Sequence, residues 1–470
     1  MDIYHVSMSV SVNYFIMGGY CVDVANYVVG FIMVLSFFGL VWYCVKGFNL
    51  MVGFFIMSVL WVTIALIGNS ISPSTAMEGQ TWVNVLTNVF QTGPENYGRA
   101  ILVNVFFGAF FGRVLIDTGI AATLIRKVVE LGGDKPRVTM SLLCIVKAVI
   151  FTSMTGIGPV ISIAVIVLPI MLSLGIPSPV ALFSFMGSIM AGIFGNIVNF
   201  KQYQTIFATA NESYANYDYN AYFSFGMIAM TVSLLVVLIV ANLSMNKKKI
   251  SRAWAASAPD HQTSDAPAIS WISIILPVIG VVAFKIPIIF GFIFAALFAL
   301  LTCGKLKGGF ASVSRMLSKQ FADGAIDVAP MIGFLLTLSM FNNAATYASP
   351  YFKILFGDLM PQTALLLCIV FAILTPLGFF RGPMNLVGSG SAILAVVVST
   401  AAWPVQFLYP LFATTTIAPQ HLDVTQSWVA WGFGYTKVPA RDFMKMSIPT
   451  GWIVGIILCA IVYVLYGNLV

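Results

Sequence analysis

The feature that most constrains this chain is a series of apolar windows, each roughly 18 or more residues long, separated by short polar turns. A window of that length is what a helix needs to cross the ~30 Å hydrocarbon core of a bilayer. Composition agrees. The chain is 59% hydrophobic and 8% charged, with a mean hydropathy of +0.96, whereas soluble domains are nearer half apolar and a quarter charged. A multi-pass membrane protein is expected, with the lipid bilayer as its first partner. The opening residues "MDIYHVSMSVSVNY" have no basic flank before an apolar run, so no cleavable signal is expected. The net charge of +7 fits a bias of basic residues toward cytoplasmic loops rather than binding to nucleic acid. Six scattered cysteines form no CxxC pair, so neither a disulfide framework nor a metal site is expected.

The order of apolar and polar stretches suggests two copies of one unit. Spans are expected near 27–45, 49–68, 98–117, 179–200 and 222–245, then near 270–284, 286–302, 328–346, 404–418 and 446–467. Each half also holds an apolar segment broken by Gly-Pro, at 138–174 and 362–401. Each half begins with two close spans and a lysine in the turn (Lys46, Lys285), followed by an amphipathic stretch, "TWVNVLTNVFQ" or "FASVSRMLSKQF". The fold class expected is an all-α polytopic membrane protein of about ten transmembrane helices. These form two inverted repeats of five, each with a broken re-entrant hairpin. The divisions are an N-terminal segment 1–26, a first repeat 27–245, a linker 246–268 and a second repeat 269–470. With the linker in the cytoplasm, 16 of the 23 basic residues fall in cytoplasmic loops, which the positive-inside rule favours. The location expected is a bacterial cytoplasmic (inner) membrane.

Irregular backbone survives at membrane depth only inside protein or beside a water-filled cavity. Both breaks, "FTSMTGIGPVISIA" and "LTPLGFFRGPMNLVGSGSA", are followed by a new half-helix whose free N–H groups and positive dipole end suit an anion. Paired breaks at corresponding places in two repeats point to a transporter's binding site. Arg381 lies in the second break. It keeps its charge, is costly at membrane depth unless paired or hydrated, and offers a planar fork that matches a carboxylate. It is expected to bind the carboxylate of a small organic anion. Asn385, Ser389, Ser391 and Thr155 are expected to add hydrogen bonds, beside Gly156 and Gly158 of the first break. Lys147 reads either as a second cation facing the cavity or as a snorkelling side chain. Asn196 and Asn199, with Gln202, fall along roughly one face of a helix, so they serve the cavity or bridge helices. Thr415, His421 and Asp423 are candidates for ion coupling. His421 and Asp423 fit a proton relay as well as they fit a polar loop at the cytoplasmic mouth. Asp327 sits at the end of a span.

Three stretches resemble the gluconate permease family, gluconate:proton symporters within the ion transporter superfamily. They are "GAFFGRVLIDTGIAATLI" at the end of the third span and "FFRGPMNLVGSGSA" at the second hairpin tip. The third is "FATTTIAPQHLDVTQSWVAWGF", with "KMSIPTGWIVGIILC" behind it. In layout the resemblance covers about residues 30–470. It implies a homodimer with a scaffold and a moving transport domain that carries both hairpins. The chain departs from the family at "MTGIGP", which lacks an acid before the Gly, and at "GNIVNFKQYQ", which replaces a His-Pro-rich stretch.

The expected function is secondary active transport of a small organic anion, a carboxylate or sugar acid, by proton or sodium symport. No cofactor beyond the coupling ion and no catalytic residue is expected. The alternative is a cation/proton antiporter of the same architecture, which needs a buried carboxylate at the midplane. An intramembrane protease or an ATP-driven pump is disfavoured. No HExxH or GxxxxGK[ST] motif is present, and the only histidines are His5, His261 and His421.

Overall fold

The computed structural model describes residues 24–43, 46, 48–246, 265–356 and 360–470. Most of the expected N-terminal segment, and the linker from 247 to 264, lie outside the described residues. The described chain is all-helical. The first half holds α1 (Val24–Tyr43), α2 (Leu50–Ile71), α3 (Trp82–Asp117), α4 (Ile120–Gly132), α5 (Pro136–Ile150), α6 (Ile157–Ser173), α7 (Ser178–Phe194), α8 (Ile197–Ala210) and α9 (Tyr219–Asn246). The second half holds α10 (Leu276–Phe284), α11 (Ile288–Thr302), α12 (Phe310–Phe356), α13 (Ala364–Leu374), α14 (Gly390–Thr400), α15 (Val405–Gln420), α16 (Ser427–Thr436) and α17 (Ala440–Tyr466).

Among the described residues six helices are long and apolar enough to cross a membrane, or up to eight if each of two bent pairs is one span. The expected spans at 270–284 and 286–302 do not reach that length. A 3₁₀ turn precedes the nine-residue α10, and α11 has 15 residues, about 22 Å at 1.5 Å per residue.

Several boundaries differ from expectation for local reasons. The amphipathic stretches and the spans that follow them are single helices, α3 and the 47-residue α12. The latter bends by 49° between Ala329 and Met331, at Pro330, which has no N–H for the helical ladder. The span at 179–200 ends at Phe194, and the chain turns by 62° into α8. The Asn196 side chain accepts from Val198 N and Asn199 N at 3.0 Å each, so it caps a new helix rather than continuing the old one. Beyond α15, residues 421–426 form a second such break, and α16 follows where no helix was expected.

The helices pack in two groups. In the first, α12 lies along α2 and the end of α3, and α3 lies along α11. In the second, α7 packs between α5 and α9, while α17 packs on α13, α15 and α9. Small residues mark the closest approaches, as expected where lipid leaves packing rather than a hydrophobic drive to hold helices together. Gly324 of α12 meets the backbone of Phe110, and Gly187 of α7 meets Val237 of α9. Large apolar side chains such as Phe31, Phe55, Phe294, Leu366 and Val464 point outward. In water such a surface would drive aggregation; against acyl chains it costs nothing.

Candidate functional site

Four helix breaks build the site: 151–156 before α6, 195–196 before α8, the stretch from Thr375 to Ser389 before α14, and 421–426 before α16. In the first, Gly156 has φ +96°, a left-handed conformation that glycine adopts without strain. The carbonyls left open at the end of α5 are met by Asn196, whose Nδ2 donates to Phe151 O at 2.8 Å and Met154 O at 2.9 Å. One asparagine thus closes the first break and caps the helix beyond the second. The third break is tied in a comparable way. Asn385 Nδ2 donates to Gly378 O at 3.2 Å, and its Oδ1 accepts from Val387 N at 3.0 Å. Leu386 N donates to Thr416 Oγ1 of α15 at 3.0 Å. Phe380 and Arg381 both take positive φ, +57° each, a strain of about 1–3 kcal/mol per residue that only a tightly held turn supports.

A cavity of about 270 Å³ lies between these breaks and the first helix group. Arg381, 7% exposed, lines it. Its Nη2 donates to Gln426 Oε1, and its guanidinium stands 5.8 Å from the centre of the Phe334 ring. Asp327 of α12 also lines the cavity. Arg113 Nη2 donates to both Asp327 carboxylate oxygens at 2.8 Å, and a Cβ placed on Gly158 would collide with that carboxylate. The first turn of α6, expected to be open to an anion, therefore has a resident carboxylate against it. Around Arg381 the wall is rich in neutral polar groups. Among the described residues Gln420 Oε1, His421 Nδ1, Thr425 Oγ1 and Trp428 Nε1 are buried without hydrogen-bond partners. Such atoms are costly to leave unmet, so the wall suits a ligand that both donates and accepts. Leu50, Val160, Ile189 and Met331 give it an apolar side.

Of the residues singled out in the sequence, Thr155, Gly156, Asn199, Gln202, Arg381 and His421 line the cavity, as does Asp327. The others lie around it. Asn196 and Asn385 spend their side chains on the breaks, and Asn196 is a cap rather than part of a helical face. Ser389 donates through its backbone N to Arg381 O at 3.1 Å. Ser391 is buried with no partner for its hydroxyl among the described residues. Gly158 abuts Asp327. Thr415 donates back to Phe412 O at 3.3 Å within its own helix. Asp423 accepts from Thr425 N at 2.9 Å. His421 and Asp423 are buried, 1% and 0% exposed, rather than forming a solvated loop. Sequence reasoning placed Asp327 at a span end and did not single out Gln420, Gln426 or Trp428. Their one sequence signal was the density of polar residues after the Pro419 break.

Fold and site define a multi-pass, all-helical membrane protein whose broken helices border a cavity with polar and apolar walls. The chain resembles the crystal structure of the YdaH transporter of Alcanivorax borkumensis, described as having an unusual topology. The TM-score is 0.60 at 11% identity, over 89% of this chain and 98% of that one, so the two share a fold. No family profile matches the chain, and no curated protein matches it by sequence.

Proposed function

We propose that this protein is a secondary active transporter that carries a small organic anion, a carboxylate or sugar acid, across the bacterial inner membrane by proton or sodium symport. The observation that carries this reading is Arg381, a buried cation lining the cavity, held in a strained turn where its guanidinium faces an aromatic ring and a glutamine. A guanidinium in such a wall offers two parallel N–H donors to a carboxylate. The unpartnered atoms of Gln420, His421 and Thr425 suit the hydroxyl or carbonyl groups of the same molecule. The shared fold with a transporter supports the class. The likeness to gluconate permeases belongs to this proposal too, as do the inverted repeats, the re-entrant hairpins, the cytoplasmic linker 246–268 and the homodimer. In this reading the second helix group, with both hairpins, moves against the first, and His421, Asp423 and Thr415 serve ion coupling.

A cation/proton antiporter is the second reading, and Asp327 favours it, because a carboxylate lines the cavity after all. Its pairing with Arg113 favours a structural role. Uptake of labelled gluconate, citrate, lactate and C4-dicarboxylates into proteoliposomes, under a proton gradient, a sodium gradient or neither, separates the two. One acid accumulated under one gradient, and lost in Arg381→Ala, supports symport. No acid uptake together with sodium-driven proton movement supports the antiporter.

A further inference from the structure

Lys147 is 0% exposed, and among the described residues its Nζ has no hydrogen-bond partner. The ammonium group stands 4.5 Å from the centre of the Phe185 ring. It does not line the cavity, but it lies close behind its wall. Phe151, four residues on at the C-cap of α5 with its N–H bonded to Lys147 O, and Ile189, four residues beyond Phe185 along α7, both line the cavity. Residues four apart share a helix face about 6 Å apart along the axis. Lys147 and Phe185 therefore form the layer one turn deeper.

An ε-ammonium has three donors, and here none is met among the described residues. The proton on Nζ thus depends on whether water or an acceptor can reach it. Neither α6 nor α7 carries a titratable side chain. On α5 itself the titratable groups are Arg137, in the first turn, and the Cys144 thiol, whose Sγ donates to Ser184 O at 3.4 Å. Those of α9 are Tyr219 and Tyr222, whose rings pack with Phe200. Those of α4 are Arg126, Lys127 and Glu130, in solvent-facing pairs with Asp265 and with one another. No acid among them faces Lys147 to hold its charge permanently.

We propose that Lys147 is a proton-binding site of the transport cycle, taking up one proton when α5 and α7 admit water and releasing it when they close or open to the other face. The nitrogen lone pair forms a bond to a proton from hydronium, which leaves as water, and the reverse step returns the proton to water. This rests on the transporter reading and makes the proton its coupling ion.

The test is solid-supported-membrane electrometry on proteoliposomes of the full chain, given a pH jump with no added substrate. Wild type is expected to give a transient charge displacement above that of protein-free liposomes, and Lys147→Met a clearly smaller one. If Lys147→Met does not fold, Phe185→Leu serves instead. It removes the aromatic face that favours the charged amine and is expected to lower the pH midpoint of the transient by about half a unit. No transient in wild type, a full transient in Lys147→Met, or an unmoved midpoint in Phe185→Leu would overturn the proposal. A transient reduced in Lys147→Met, with no organic acid transported, would keep the proton site and remove the anion reading.

Discussion

Asp327 sets its carboxylate against Gly158 in the first turn of α6, and Arg113 donates to both of its oxygens at 2.8 Å. Three elements, α3, α6 and α12, meet at this one group. The positive end of α6 favours the carboxylate there, and the glycine leaves room for it. The contact joins the first helix group to the first break, beside the cavity.

Gly158→Ala tests that contact. The added methyl has no space unless the Asp327–Arg113 pair shifts. Overpacking of this kind costs about 1–3 kcal/mol. A lower unfolding temperature and slower uptake are expected, read by thermal unfolding in detergent and by proteoliposome flux.

The ion pair itself is partly solvated, with the Arg113 and Asp327 side chains 21% and 9% exposed. Each single change, Arg113→Ala or Asp327→Ala, is expected to cost about 1–3 kcal/mol, below the 3–5 of a fully buried pair, because water reaches the survivor. The double variant is expected to lose less than the sum, by about 1 kcal/mol. Additive losses in a double-mutant cycle would show that the pair is not coupled.

Asn196 makes four hydrogen bonds across two breaks. Asn196→Ala is expected to lose about 2–4 kcal/mol, since capping and buried carbonyls are lost together. Asn196→Asp keeps the cap but not the donors to Phe151 O and Met154 O, so its loss should fall between that of alanine and none. Equal losses for the two would contradict the double role.

Thr416 accepts from Leu386 N and so holds the Arg381 turn to α15. Thr416→Val removes the acceptor at nearly constant shape and is expected to cost about 1–2 kcal/mol. A rise in apparent KM exceeding any fall in maximal rate is expected, because Arg381 would be less well positioned. The check is initial uptake rate against substrate concentration.

Much of the fold was legible, because apolar length and Gly-Pro breaks act locally. Arg381 stood out as a cation among apolar residues, and Gly156 and Gly158 stood out in a Gly-x-Gly-Pro break. The break at Asn196 was hidden, since an asparagine inside an apolar helix has the same sequence whether it caps or bridges. Asp327 was hidden for a different reason. Its role depends on Arg113 and Gly158, 214 and 169 residues away in the chain, and no local pattern links the three. Gln420, Gln426 and Trp428 carry no local signal beyond a polar stretch, and only the break at 421–426 makes them cavity wall.

The central claim is that Arg381 receives the carboxylate of the transported anion. The most direct test is ligand-induced thermal stabilisation of purified wild type and Arg381→Ala with the same panel of organic acids. At a concentration of 100 times Kd, a ligand that binds only the folded state adds about 2.7 kcal/mol of stability. The account predicts that at least one acid raises the unfolding temperature of wild type and that none raises it in Arg381→Ala. An acid that stabilises both proteins equally would contradict it.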